Sequence, residues 1–154
     1  MLRKTSASEV IESLKLAPLP IEGGFFRETF RNTEMTCIYY LITQESFSTL
    51  HSLSSSEIWH YYAGNPAQMI QISPSGELLK FTLGSDLKAG QSPQVIVKAH
   101  SLQGTKIVGD GTWTLFGCSV SPAFEAAQFT HVQRCEMIKK FPYHFDLISR
   151  YTKS

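Results

Sequence analysis

The feature that most constrains this chain is a long succession of short apolar segments, separated by turn residues, from about residue 25 to residue 132. Apolar and polar residues alternate in most of these segments, or form a short apolar run, as in half-buried or buried β-strands. The SPSG segment at 73–76 is the clearest hairpin turn. The sequence therefore predicts an all-β protein with ten strands: Phe25–Arg31, Thr36–Thr43, Phe47–Leu53, Ile58–Ala63, Gln68–Ser73, Leu78–Leu83, Gln94–Ala99, Lys106–Val108, Thr112–Val120 and Ala127–Val132.

Helical signals occur only at the two ends of the chain. Ser6 and Glu9 have the spacing of a capping box, and apolar residues follow at helical intervals, which predicts a helix from about Ala7 to Lys15. Near the other end, Pro142 is expected to open a last helix. We expect this helix, with its apolar residues Phe145, Leu147 and Ile148, to cover an end or an edge of the β-structure.

Length and charge indicate one globular domain that spans residues 1–154, with a core at about 20–135. The 154 residues are 42% hydrophobic, so the chain can bury a core of its own. The formal net charge is +1 and the basic residues are scattered, which argues against nucleic acid as a partner. Many short strands in one domain favour a sandwich or barrel, and a jelly roll limits exposed strand edges.

Nothing in the sequence indicates a membrane or an oxidising compartment. The apolar run at 38–42 is far shorter than the roughly 20 residues that span a bilayer. The segment 1–9 lacks the apolar region of a signal peptide. Three cysteines in no paired spacing, Cys37, Cys118 and Cys135, indicate a reducing compartment, so we expect a cytoplasmic protein with three buried thiols.

The segment 51–64 carries the most chemical information. His51, Glu57 and Gly64 have the spacing of the first motif of the cupin superfamily, which is HxH, three or four residues, E, six residues and G. Leu53 stands where the second histidine of that motif would be. Residues 51 and 53 share one face of a strand, and the returning strand brings Glu57 beside them. An imidazole and a carboxylate are therefore expected in one pocket inside the barrel.

Flanking segments extend the resemblance over roughly residues 8 to 150. They are EGGFFRET at 22–29, IYYLI at 38–42, the Pro93-Gln94 pair and FGCSVSPAF at 116–124. Together they resemble small single-domain cupins of bacteria and fungi that are catalogued as predicted sugar epimerases, a family of largely unassigned function. The resemblance implies a jelly-roll barrel (a double-stranded β-helix), a homodimer, and a pocket similar in outline to that of deoxysugar-nucleotide epimerases.

The resemblance also bears on metal binding. A cupin metal site normally has three imidazoles and one carboxylate, and Gln103 stands here where the second motif has a histidine. If a divalent metal were bound, His51, Glu57 and Gln103 would be its ligands. Because two good ligands hold a metal poorly, we expect no cofactor. The alternative is that His60 or His100 enters the barrel and completes a metal site.

Without a metal, the expected pocket suits acid–base chemistry. An imidazole beside a carboxylate can take a proton near neutral pH, which makes His51 the candidate base, with Glu57 beside it. In the resembling epimerases a histidine takes a proton next to a sugar carbonyl, a cation stabilises the enolate and a tyrosine returns a proton. The resemblance suggests Tyr39 or Tyr61 as that acid and Arg27 as the residue that binds an oxyanion or phosphate.

The ligand of such a site would be a sugar or a sugar nucleotide. Trp59 is a candidate wall for sugar stacking, and Gln103 a further contact. Two other classes of function stay open: a cupin that binds a small molecule without chemistry, and a metal-dependent oxygenase or lyase. Structural interpretations also remain, in which His51 is a satisfied core residue and Glu57 forms an ion pair with Arg27.

Overall fold

A computed structural model describes residues 4–154. Residues 1–3, which belong to the N-terminal stretch discussed above, lie outside the described residues. Three helices and eleven strands follow in chain order among the described residues: α1 Ala7–Leu14, β1 Ala17–Pro18, β2 Phe25–Arg31, β3 Thr36–Thr43, β4 Ser48–Leu53, β5 Ser56–Gly64, β6 Ala67–Ile72, β7 Leu78–Leu83, β8 Gln94–Val97, β9 Leu102–Ile107, β10 Trp113–Ser121, β11 Phe129–His131, α2 Arg134–Lys140 and α3 Phe145–Arg150.

The strands form two antiparallel sheets, which confirms the predicted all-β jelly roll. One sheet has the order β1-β2-β3-β10-β5-β8 and the other the order β11-β4-β9-β6-β7. Their inner faces enclose a core that includes Tyr40, Trp59, Met69, Leu83 and Phe116. Burial of this apolar surface is the main force that holds the two sheets together.

Helix α1 covers part of the outer face of the six-stranded sheet. Its capping box forms as predicted, because the Ser6 hydroxyl accepts the Glu9 N–H and the Glu9 carboxylate accepts the Ser6 N–H. The helix packs Val10 against Leu41 and Leu115, which point outward from β3 and β10. In β3, therefore, odd-numbered residues point outward and even-numbered residues point into the barrel.

The C-terminal helices cover the outer face of the five-stranded sheet. Leu147 and Tyr151 pack on Leu50 and Ile70, and the Leu50 N–H donates to the Tyr151 carbonyl at 2.8 Å. The expectation that the last helix covers an end or an edge is wrong, because apolar residues project outward from the middle of this sheet. Gly104 allows the close approach, since a Cβ there would lie 2.9 Å from the Tyr151 ring.

Most predicted strands match within two residues at each end, β1 was not predicted, and one strand differs more. The predicted strand at 106–108 belongs to β9, which begins at Leu102, because the polar side chains of Gln103 and Thr105 point inward and hide the usual alternation. The predicted strand at 127–132 is reduced to β11. Of the three thiols predicted to be buried, only that of Cys118 is buried. Cys37 is half-buried and Cys135, on α2, is exposed.

None of the helices within residues 4–154 is both long enough and apolar enough to cross a membrane.

Candidate functional site

A cavity of about 270 Å³ opens between the inner faces of the two sheets. Most of its wall is apolar, and four of its lining side chains, Glu22, Glu28, His51 and Glu57, can take up or release a proton near neutral or acidic pH. A concave apolar cavity with a few convergent polar groups is the usual form of a small-molecule site. The apolar wall includes Leu19, Phe26, Ile38, Leu53, Phe124 and Phe129.

His51 is held in one orientation in the cavity wall. Its side chain is 2% exposed, and the Phe129 ring stacks on the imidazole with 5.2 Å between the ring centroids. The Nδ1 atom lies 2.7 Å from the carbonyl oxygen of Thr49. A carbonyl oxygen only accepts hydrogen bonds, so this contact places a proton on Nδ1. In the neutral ring Nε2 therefore carries the lone pair, which is the atom that a base needs.

The carboxylate nearest to His51 is Glu22. Its Oε1 lies 3.6 Å from His51 Nε2 and accepts a hydrogen bond from the Ser48 hydroxyl at 2.8 Å. Glu22 and the imidazole are thus within ion-pair distance of each other. From the sequence, Glu22 is only the first residue of the EGGFFRET segment and is not a predicted site residue. The sequence feature that could have identified Glu22 is its position directly before Gly23 and Gly24 in the EGGFFRET segment.

An unusual backbone aims Glu22 into the cavity. Ile21, Gly23 and Gly24 all have positive φ, at 69°, 100° and 75°. A Cβ on Gly23 would collide with the carbonyl of Phe47, and one on Gly24 would lie 2.6 Å from the Tyr40 hydroxyl oxygen. The two glycines are therefore required. Ile21 lies at the cavity wall and is 67% exposed. Its positive φ is strained, because a β-branched side chain disfavours the left-handed region.

Glu57 projects from β5 into the same interior and is 7% exposed. Its Oε2 accepts a hydrogen bond from Gln103 Nε2 at 2.7 Å. Burial, and next the negative charge of Glu22, raise the pKa of Glu57, while His51 and Gln103 lower it, and the net result is a pKa of about 7. The protonated and ionised forms of Glu57 are thus both populated near neutral pH. The Trp59 indole N–H also lowers this pKa, although it lies outside hydrogen-bond geometry.

The residues in the cavity do not fit the metal site of the resembling proteins. Leu53 occupies the place of the second histidine and lines the cavity. Gln103 supplies a neutral amide, a weaker ligand than the imidazole of the resembling proteins, and its N–H group donates to Glu57. Within residues 4–154, no group of three or more His, Cys, Asp and Glu side chains is arranged to hold a metal ion.

The two alternative histidines do not complete that site. His60 alternates with Trp59 on β5 and lies on the outer face, where its Nδ1 is 3.4 Å from Gln94 Nε2. His100 is exposed in the turn before β9, with φ of 69°. Neither residue lines the cavity.

Two of the residues suggested by resemblance lie on the opposite side of the sheet from the cavity. Tyr39 points outward from β3, in edge contact with Tyr62, and the Arg27 guanidinium lies 5.5 Å from the centre of the Tyr39 ring. The neighbour of Arg27, Glu28, lines the cavity instead, because successive strand residues face opposite ways. Glu57 therefore has Gln103 as its partner, and the expected ion pair with Arg27 does not form.

Two further aromatic candidates face inward without lining the cavity. Trp59 is 1% exposed in the core, in edge contact with Tyr40 and Phe116, so its faces are not open to a sugar. The Tyr61 hydroxyl donates to the carbonyl of Gly64 at 2.6 Å. Of the predicted residues, His51 and Glu57 line the cavity, and Glu22 and Phe129 join them. Gln103 contacts Glu57 but does not itself line the cavity, and neither do Tyr39, Tyr61, Arg27 and Trp59.

Comparison with known sequences shows the family. Residues 8–132 match the family described as Cupin superfamily (DUF985), and the chain belongs to it. An uncharacterised protein of Saccharomyces cerevisiae is 31% identical over a match that covers 49% of each protein, so the chain spans about half the length of this curated relative.

Two solved structures share the fold over nearly the whole chain. A hypothetical protein from Leishmania major has a TM-score of 0.91 at 27% identity, and the match covers 97% of this chain and all of that one. A protein from Shewanella oneidensis has a TM-score of 0.91 at 30% identity, with 97% and 99% coverage.

Two more distant cupins share the fold alone. Oxalate decarboxylase from Bacillus subtilis has a TM-score of 0.61 at 11% identity, covering 89% of this chain and 37% of that one. A PAC13 variant from Streptomyces, solved with uridine, has a TM-score of 0.55 at 12% identity, with 77% and 85% coverage.

Proposed function

We propose that this protein is a small-molecule enzyme, an epimerase or isomerase acting on a sugar or a sugar-containing metabolite, in which His51 is the base and no metal takes part. The observation that carries the proposal is the orientation of His51. Its Nδ1 contacts the Thr49 carbonyl, so Nε2 is free to accept a proton in the cavity beside Glu22.

The other carboxyl group has a complementary role in this proposal. His51 Nε2 takes the proton from a carbon next to a carbonyl group, and the protonated form of Glu57 donates a hydrogen bond to the developing enolate oxygen. Return of the proton to a different carbon, or to the other face of the same carbon, completes the isomerisation. The raised pKa of Glu57 supports this role because a carboxyl group at about 7 retains its proton in a large fraction of molecules near neutral pH.

The fold neighbours support a sugar-containing ligand. The PAC13 structure holds uridine, in which a sugar carries a base and no phosphate. The cavity, with a volume of about 270 Å³ and a mostly apolar wall, suits a small ring with few polar groups.

The test is deuterium exchange with a panel of aldoses, ketoses and nucleosides in D₂O. A proton-transfer enzyme incorporates solvent deuterium at the carbon it deprotonates, and mass spectrometry detects the gain. We expect incorporation with at least one compound, abolition in His51→Gln, and no loss after dialysis against a chelator. Incorporation that persists in His51→Gln contradicts the role of His51, and loss on chelation contradicts metal independence.

A second candidate is a binding protein without chemistry. The observation in its favour is the predominantly apolar wall, which suits retention of a ligand as well as it suits catalysis. In that case a compound of the panel shifts the melting temperature without gaining deuterium, and His51→Gln weakens binding.

We further propose a homodimer in the cytoplasm. The outer face of the six-stranded sheet leaves Tyr62 and Ile96 more than half exposed, which is a feature that association would cover. The cysteines are free, which fits a reducing compartment. Light scattering at micromolar concentration should give about twice the chain mass of 17.3 kDa, and a value near the chain mass contradicts the dimer.

A further inference from the structure

The charges on the cavity wall are all of one sign, apart from the titratable imidazole of His51. Three carboxyl groups line the cavity, those of Glu22, Glu28 and Glu57. Among the described lining residues none is a lysine or an arginine. An anionic ligand would therefore meet carboxylates without a cationic side chain to balance its charge.

The arginine that contacts a lining carboxylate is already engaged. Arg31 holds Glu28 through two hydrogen bonds, at 2.8 Å and 2.9 Å, and also contacts the Phe124 carbonyl and Glu125. These contacts neutralise Glu28 and leave Arg31 committed to carboxylates of the protein itself. Among the described residues, the lining carboxyl groups without a lysine or arginine partner are therefore the more buried ones, Glu22 and Glu57. Glu57, with its pKa of about 7, carries its negative charge in only part of the molecules near neutral pH.

The glycine loop does not supply an anion site either. Backbone N–H groups in such a loop can cradle a phosphate when they point at the ligand. Here the N–H of Glu22 donates to the Pro20 carbonyl, that of Gly23 to the Leu19 carbonyl and that of Gly24 to the Ser46 hydroxyl. All three donors are consumed inside the protein.

The apolar wall makes ligand binding depend more strongly on the sign of the ligand's charge. Leu53, Phe26 and Phe129 line the same cavity as the carboxylates, and charges interact more strongly in apolar surroundings than in water. A buried anion without a partner is unfavourable, whereas a buried cation that meets a carboxylate is compensated.

We propose that this cavity selects against anions: its ligand is an uncharged or singly cationic molecule with an apolar ring or chain, and phosphorylated sugars and nucleotides are excluded. The inference rests on the cavity being the ligand site of the proposed function, but it does not require proton transfer. It narrows the substrate class from sugars and sugar nucleotides to compounds without a phosphate, and favours those that carry one amine or amidinium.

The test uses three probes of nearly the same shape that differ in charge: benzamidine (cation), benzamide (neutral) and benzoate (anion). Each is titrated to about 20 mM into the wild-type protein, a range suited to ligands of this size. Binding is followed by NMR of the methyl groups of the lining residues Ile38 and Leu53. We expect benzamidine to bind at least about tenfold more tightly than benzoate, with benzamide between them.

Charge variants identify the source of the preference. Glu22→Gln and Glu57→Gln should each reduce the advantage of benzamidine over benzamide, since each removes one carboxylate from the wall. Glu77→Gln, on the exposed turn between β6 and β7, removes the same charge away from the cavity and should leave the order and the ratios unchanged.

The outcomes decide the inference separately from the proposed function. Benzoate as the tightest binder, equal binding of all three probes, or no shift with benzamidine each overturns the charge selection. The expected order in the wild-type protein supports it, even if either glutamate variant is too unstable to study. If that order is found while no compound gains deuterium, the charge selection stands and the proposed acid–base function fails.

Discussion

At the scale of single residues, the site depends on the hydrogen bonds that orient three ionisable side chains, His51, Glu22 and Glu57. Contact with the Thr49 carbonyl sets the tautomer of His51, Ser48 orients Glu22, and Gln103 donates to Glu57. These contacts are made by groups of the barrel itself, so the site is organised before a ligand arrives.

The buried carboxyl of Glu57 should make stability depend on pH. Its pKa is raised, so between its unfolded value and its folded value the native state binds more protons than the unfolded state, and stability falls as pH rises. The shift from 4.5 to about 7, at about 1.4 kcal/mol per unit, corresponds to roughly 3 to 4 kcal/mol. Glu57→Gln removes this loss, so it should be more stable than wild type at pH 8 and similar to it at pH 4.5.

Urea unfolding of both proteins across this pH range measures the difference. Glu77→Gln is the control: because the side chain of Glu77 is exposed, the free energy of unfolding of this variant should follow that of wild type at every pH. A constant difference between Glu57→Gln and wild type from pH 4.5 to 8 would show that Glu57 does not titrate with a raised pKa.

The donor set also predicts a gain of function. Leu53→His together with Gln103→His creates the arrangement of three imidazoles and one carboxylate with His51 and Glu57. The double variant should hold about one Zn²⁺ or Co²⁺ per chain after dialysis, because four good ligands converge. Elemental analysis should find much less metal in the wild-type protein and in each single variant. Stoichiometric metal in the wild-type protein would refute our account of the ligands.

At the scale of elements, the phase of each strand decides which residues reach the cavity. In β3 the inward residues are even-numbered, so Tyr40 enters the core and Tyr39 lies outside. In β2 the same alternation selects Glu28 and leaves Arg27 outside. Helix α3 acts from behind the site, since it packs on the back of β4, the strand that carries His51.

Removal of that support should destabilise the protein strongly. Leu147 on α3 is 8% exposed and packs against the cluster around Leu50. Leu147→Ala should lower the free energy of unfolding by about 2–4 kcal/mol through lost burial and a residual cavity. Phe145→Ala, on the same helix but 53% exposed, is the matched control and should cost much less. Equal losses in chemical denaturation would argue that α3 does not pack on β4.

At the scale of the whole molecule, the two sheets are interleaved along the chain. β10 lies between β3 and β5, and β9 lies between β4 and β6, so the last third of the chain completes both sheets. The cavity itself is closed by residues from both halves of the sequence, among them Glu22 and Phe129. The protein should therefore fold as one cooperative unit.

Fragments test this cooperativity. A fragment of residues 1–90 lacks β8, β9 and β10, so β3 and β5 lose the strand that joins them. We expect this fragment and its complement 91–154 each to be unfolded alone, because unpaired strand groups and exposed core residues are not compensated. Circular dichroism and NMR dispersion report the outcome, and a cooperative thermal transition in fragment 1–90 would contradict it.

Local patterns in the sequence determined much of this protein. The period of two along most segments, the SPSG turn and the capping box at Ser6 depend only on neighbouring residues, so strand content, the hairpin between β6 and β7, and α1 could all be predicted. The match of His51 and Glu57 to the spacing of the cupin motif likewise predicted that they share an interior, although β4 and β5 lie in opposite sheets.

Only the tertiary structure decided which other residues join them. Whether Tyr39 or Tyr40 faces inward depends on which face of β3 packs against the second sheet, and alternation alone leaves that phase open. Glu22 reaches His51 through a loop with positive φ at both flanking residues, and Phe129 stacks on His51 from 78 positions further along the chain. Such contacts depend on how distant segments meet in space, which no local period encodes.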